Sequence, residues 1–161
     1  MKIIGIDPGY DRLGIAVIEK PSKGKETLLF SECFKTSKED LIHTRLHSIG
    51  QEIARVMDIF KPDQFAIENL FITKNQKTAM RVAEARGIIM YEAQNRKVPI
   101  KEYTPMEIKL AVTGDGSSDK LRVIKMVGLL IEIPEKIDKH KILDDEYDAI
   151  AVALAHSAMI R

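Results

Sequence analysis

The chain has a single cysteine, Cys33, so no disulfide can form within its 161 residues. A lone thiol fits a reducing compartment. Long apolar runs are also missing. The first, Ile3 to Ile6, is short and passes directly into Asp7-Pro8-Gly9, so no signal peptide is expected. Nothing approaches the roughly 20 apolar residues that cross a bilayer, which excludes a helical membrane span and predicts a cytoplasmic protein with no membrane partner. An excess of one charge is lacking too: 25 Lys and Arg face 24 Asp and Glu, for a net charge of +1. That balance gives no global signal for nucleic acid, which non-specific binders often announce by strong basicity. It is compatible with acids gathered at one place and bases at another. Zinc-type spacing is absent as well. His43 and His47 stand four apart, but no acid on that helical face completes a site.

What remains is a composition ordinary for a globular protein, 45% hydrophobic and 30% charged, and a length suited to one domain over residues 1–161. Lys2–Asp7, Leu13–Glu19 and Leu28–Lys35 read as three strands joined by short turns, an antiparallel meander. Ser37 is the expected N-cap of a first helix, with Asp40 three residues on. Along it Leu46, Ile49, Ile53, Met57 and Phe60 recur at steps of three and four, and Pro62 ends it. Gln64–Glu68 reads as a short buried strand. A second helix fits Gln76–Asn95, with small residues at Ala79, Ala83, Ala85 and Gly87 for close packing. Val98–Tyr103 is the next strand, and Pro105 opens a helical turn that continues through Val112. Ser118 is the expected cap of a helix through Leu130, and a last, alanine-rich helix runs from Asp145 to Met159. Strands followed by alternating helices and strands predict an α/β fold, a mixed central sheet with helices on both faces.

Four carboxylates stand at the edges of apolar elements: Asp7, Glu68, Asp145 and Asp148. Asp145 and Asp148 are three apart at the start of the last helix and share a face. Individually each has an ordinary explanation. Asp7 suits a turn, and acids at a helix start complement its dipole. Glu68 is harder to explain away, because strands disfavour glutamate that nothing pairs. Together they suit the hydrolysis of a phosphodiester, in which two Mg²⁺ ions about 3.5–4 Å apart assist the attacking and leaving oxygens. Mg²⁺ takes oxygen ligands and keeps several waters, so a few carboxylates suffice.

The segments Gly5-Ile6-Asp7-Pro8-Gly9, Phe65-Ala66-Ile67-Glu68-Asn69-Leu70-Phe71, Ala83-Glu84-Ala85-Arg86-Gly87 and Asp145-Glu146-Tyr147-Asp148-Ala149 resemble the RuvC family of Holliday junction resolvases, in order and over essentially the whole chain. The resemblance implies an RNase H-like fold and a homodimer cutting opposed strands of four-way junction DNA. It also implies a branch-migration helicase as partner, and two Mg²⁺ per site with Mn²⁺ as a substitute. Its acids map onto Asp7, Glu68, Asp145 and Asp148, its junction aromatic onto Phe71, and its site lysines onto Lys109 and Lys120. Asp144, one turn from Asp148, is an alternative third acid. Lys74, Lys77 and Arg81 step along one helical face as a phosphate-tracking stripe or a solvated surface. Arg86 is expected to bind DNA or to make a specific ion pair. Two rivals remain: an RNase H-like nuclease acting on RNA, and a junction binder that does not cut. A phosphate-cradling ATPase of the actin or sugar-kinase type needs two Asp-x-Gly lobes, which 161 residues cannot supply.

Overall fold

The computed structural model describes residues 1–70 and 76–160, apart from the side chains of Gln76 and Lys77. Its strands β1 (Lys2–Asp7), β2 (Arg12–Glu19) and β3 (Glu26–Lys35) form the expected antiparallel meander, with a register shift opposite Val17 and Ile18 that leaves Leu29 of β3 as the extra residue. Helix α1 (Ile42–Phe60) leads to β4 (Gln64–Glu68), and α2 (Gln76–Asn95) leads to β5 (Ile100–Tyr103). Then follow α3 (Pro105–Thr113), α4 (Lys120–Leu130), β6 (Ile131–Glu132), a short 3₁₀ turn at Lys139–Lys141, and α5 (Asp144–Met159). The strand order is β5-β4-β1-β2-β3-β6, with β4 parallel to β1 and β5, and β6 parallel to β3.

Strand alternation divides the interior into two layers. Ile4, Ile6, Ile15, Val17, Phe65 and Ile67 point to one face and pack on α1 and α2 through Ile49, Ile53, Ala85 and Ile89. Ile3, Ala16, Ile18 and Ala66 point to the other and meet α5, α3 and α4. Helix α5 is buried without interruption from Ala149 to Ala155, as a helix enclosed on all sides must be. The mixed sheet with a helical layer on each face is therefore present as expected.

Gly5 of β1 and Gly14 and Ala16 of β2, on the face towards α5, are small, and this allows a close approach. A Cβ on Gly5 would stand 2.3 Å from the Ala149 carbonyl oxygen, and one on Gly14 would stand 2.1 Å from that of Asp145. Backbone thus lies directly on backbone where α5 crosses the sheet. At the opposite edge Tyr103 Oη and His156 Nδ1 form a buried 2.8 Å hydrogen bond that ties β5 to α5.

Several local expectations are corrected. Ser37 does not cap α1. Its hydroxyl accepts from the Glu39 N–H in a tight local turn, and the helix begins later, at Ile42, with no side-chain cap. Ser118 does not cap α4 either, since Asp119 accepts from Arg122 N while Ser118 is buried against Thr113 Oγ1. On α2, Ala85 is buried but Ala83 and Gly87 face solvent. The close contact between the two helices is made instead by Gly50 of α1 under Ile88.

Candidate active site

Asp7 and Glu68 end β1 and β4, parallel neighbours in the sheet, and so emerge side by side at its carboxyl edge. That edge is where open α/β sheets carry their ligands. Asp7 continues the face of Ile3 and Gly5, the face covered by α5, and α5 brings Asp148 over it from its first turns. The three carboxylates line one cavity of about 310 Å³ with Lys109 of α3, Lys120 of α4, Pro105, Ile108, Val123 and Ala151. Residues 7, 68, 109, 120 and 148 come from five elements and converge only in the folded chain.

The electrostatics follow from that convergence. Burial, then repulsion by Glu68, Asp148 and Asp145, pushes the Asp7 carboxyl up to about 7 despite the opposing charge of Lys120. Burial and the charge of Asp148 likewise raise Glu68 to about 7, while Lys109 and Lys120 pull it down. Lys120 Nζ donates to Asp148 Oδ2 at 2.8 Å and lies 3.6 Å from Asp144. Burial alone would lower the pKa of Lys120, but these carboxylates hold it above its ordinary range. Strongly shifted groups gathered in one cavity are a mark of functional sites.

Asp145 stands at the margin of this group. It contributes to the Asp7 shift but forms an ion pair with Arg12, and accepts a hydrogen bond from Cys33 Sγ at 3.6 Å. Burial holds the Cys33 thiol up, so it serves as a donor there. Asp144 is turned outward, its side chain 68% exposed. Among the described residues no three His, Cys, Asp or Glu side chains are already disposed as the ligand set of an ion. The donors nevertheless fit a hard divalent cation. Crowded carboxylate oxygens, two of them held near 7 by burial and mutual repulsion, are what such a charge would relieve.

Other expected site residues lie elsewhere. Arg86 of α2 forms an ion pair with Glu102 of β5, and its Nε is buried without a hydrogen-bond partner. Arg81 donates to Glu84, one turn on along the same helix, at 2.8 Å. Phe71, Lys74 and the side chain of Lys77 lie outside the described residues.

Two arginines were not singled out from the sequence. Arg12 bridges to Asp145 as stated. Arg45, buried in α1, clamps the β1–β2 turn: its guanidinium donates to the Tyr10 carbonyl oxygen, Thr36 Oγ1 and Asp11, and stacks 4.8 Å above the Tyr10 ring. No local pattern announces either, because the partners are distant in sequence. Arg45→Ala is expected to cost about 2 kcal/mol in a denaturant melt. Removing one partner of a buried pair costs about 3–5 kcal/mol, and Asp11 is partly exposed here. Arg45→Lys is expected to recover little, since one ammonium cannot serve three acceptors in the guanidinium's fork geometry.

Comparisons with known proteins agree with this architecture. A family model described as crossover junction endodeoxyribonuclease RuvC matches residues 3–156. The curated protein of that name from Thermosipho melanesiensis is 45% identical over 153 residues, covering 95% of this chain and 94% of its own. That from Petrotoga mobilis is 40% identical over 156 residues, covering 97% and 93%. Among solved structures, T. thermophilus RuvC in complex with Holliday junction substrate superposes with a TM-score of 0.87 at 31% identity, covering 97% of this chain and 92% of that one. With a mixed sheet, paired helical layers and carboxylates meeting at the ends of β1 and β4, this RNase H-like chain belongs to the RuvC family of crossover junction endodeoxyribonucleases.

Proposed function

We infer that this chain resolves four-way DNA junctions by hydrolysing phosphodiester bonds in a metal-dependent reaction. The observation that carries the inference is the cavity in which Asp7, Glu68 and Asp148 face one another beside Lys109 and Lys120. Asp7, Glu68 and Asp148 would hold the divalent metal, with Asp145 as the fourth acid in preference to the outward Asp144. Mg²⁺ suits these oxygen donors, two ions per site, and Mn²⁺ substitutes for it. When bound, the metal supplies the Lewis acidity and charge neutralisation that in-line displacement at phosphorus needs.

The remaining work falls to the protein's own groups. Without metal, burial and mutual repulsion raise Asp7 and Glu68 to about 7; a bound divalent cation would offset that repulsion and favour their ionised, ligating form. Lys120 orients Asp148 through its 2.8 Å hydrogen bond, and Lys109 offsets the charge of Glu68. As the scissile phosphate enters, both ammonium groups are placed to balance the charge that builds on it. Glycines and alanines beneath α5 keep the acids on a rigid backbone contact, which limits their drift from productive geometry.

Phe71 stacks on an unpaired base at the crossover, and Lys74, Lys77, Arg81 and Arg86 follow the phosphates of the arms. Paired nicks on opposed strands require two such centres, so the working form is a homodimer of one nuclease domain, residues 1–161, in the cytoplasm. A branch-migration helicase complex, which would deliver the junction, is part of the same proposal.

The test is strand cleavage of a synthetic four-way DNA junction with Mg²⁺, beside linear duplex and RNA–DNA hybrid controls. Symmetric nicks in the junction alone are expected. Cutting of the hybrid would move the activity to RNA, and binding without nicks would remove the nuclease assignment.

A further inference from the structure

We propose that the shelf beside the acidic cavity, formed by Thr104, Pro105, Met106, Lys109 and Gly116, is a subsite for the nucleotide next to the scissile phosphate. Its base lies against the Met106 thioether and its sugar–phosphate at Lys109, a role that presupposes the junction nuclease activity above. The shelf encloses about 350 Å³ and shares Pro105 and Lys109 with the acidic cavity, so the two form one continuous trough. Nucleotides follow one another by only about 3.4 Å along a duplex axis, so a strand running from the acids towards Lys109 places the neighbouring nucleotide on this shelf.

The wall suits a base rather than another charge. Met106 is 65% exposed, and a single exposed apolar residue is ordinary. Here, however, it is held in place beside the acidic cavity. Gly116 lies so near that a Cβ on it would stand 2.7 Å from Met106 Cγ. The loop carrying Gly116 is itself fixed: Thr113 Oγ1 meets Ser118 Oγ at 2.7 Å, and Asp115 Oδ1 accepts from Ser117 N and Oγ. Thr104 on the opposite wall is engaged in the α3 capping box with Glu107. With these hydrogen-bonding groups already satisfied within the protein, the shelf discriminates by shape and stacking rather than by base edges. Thioether sulfur contacts aromatic rings favourably at about 5 Å. Such a contact is worth about 0.3–1.5 kcal/mol, roughly 2- to 12-fold in rate or affinity.

The test pairs a base deletion with a side-chain deletion. Four-way junctions with an abasic nucleotide on one or the other side of the scissile phosphate are cut beside the intact junction, by the wild type and by Met106→Ala. The wild type is expected to cut one of the abasic junctions about fivefold more slowly than the intact one. Met106→Ala is expected to shrink that penalty to below about twofold. Leu110→Ala, one turn further along α3 and equally solvent-facing, is expected to keep the wild-type penalty. Because Met106 is exposed, its truncation leaves folding intact, which a thermal melt verifies. Equal penalties in wild type and Met106→Ala on both sides would overturn the subsite and leave the nuclease assignment standing. Failure of the wild type to cut the intact junction would remove both.

Discussion

Asp7→Asn is expected to lower junction cleavage by on the order of a thousandfold or more while junction binding persists. That is the scale of loss when one preorganised electrostatic group is taken from an active centre. The same substitution is expected to stabilise the protein when divalent metal is chelated. The folded carboxyl of Asp7 is raised to about 7 from an ordinary 3.8. Between those two values the folded chain binds a proton more tightly than the unfolded one, so stability falls as pH rises through the window. Above about pH 7 the full cost of a buried, repelled carboxylate is present. The shift corresponds to roughly 4 kcal/mol as an upper bound, and relaxation of the site should leave about 2 kcal/mol. Denaturant melts with chelator should therefore show Asp7→Asn and wild type converging towards pH 4 and separating by pH 8, with the variant more stable. Added Mg²⁺ should raise the wild-type melting temperature and close that gap. A variant that is less stable than wild type at pH 8 under chelation would show that Asp7 is not held under strain. A variant that still cuts would remove Asp7 from the chemistry.

Gly14→Ala is expected to be strongly damaging although it removes no functional group. Its Cβ would fall 2.1 Å from the Asp145 carbonyl oxygen and 3.1 Å from Asp7 Cβ. Neither neighbour is the free end of a flexible side chain, so α5 has to withdraw from the sheet at the turn that carries Asp145 and Asp148. Displacement by about 1 Å from productive geometry costs on the order of a hundredfold in rate, and overpacking costs about 1–3 kcal/mol in stability. Cleavage by Gly14→Ala should accordingly fall about a hundredfold at a temperature where circular dichroism still shows a folded chain. Gly128→Ala is the control. A Cβ there meets nothing within 4 Å inside α4, so about 0.5–1 kcal/mol of added stability with unchanged cleavage is expected. Unchanged cleavage by Gly14→Ala would show that the acids do not depend on this backbone contact.

Elements with strong periodicity were legible in the sequence, because one side chain in three or four, or one in two, must face the core. The stripe of Ile49, Ile53 and Met57 on α1 belongs to this class, whereas β1 and β2 were legible as short apolar runs buried on both faces. The acids were legible for a related reason: carboxylates at the ends of apolar elements are costly unless something uses them. Helix starts were less so. Ser37 and Ser118 have the right chemistry for caps, yet each hydroxyl takes a different partner, and hydroxyl-to-backbone choices a residue or two apart differ little in energy. The two-residue β6 follows α4 with no turn between them, so no punctuation marked it. Arg12 and Arg45 were illegible because their acidic partners, Asp145 and Asp11, lie 133 and 34 residues away, and pairings at such separations exist only once the sheet has formed.

The crossing of α5 over β1 and β2 also governs when the protein can become active. Asp7 and Glu68 are made before α5, which carries Asp145 and Asp148. A ribosome-bound chain can assemble the early strands, since folding proceeds from the N-terminal side during translation. It cannot close the acidic cavity until residues 144–159 dock against Gly5 and Gly14. A chain cut short before α5 would carry only two of the four proposed acids, and it is expected not to cut DNA.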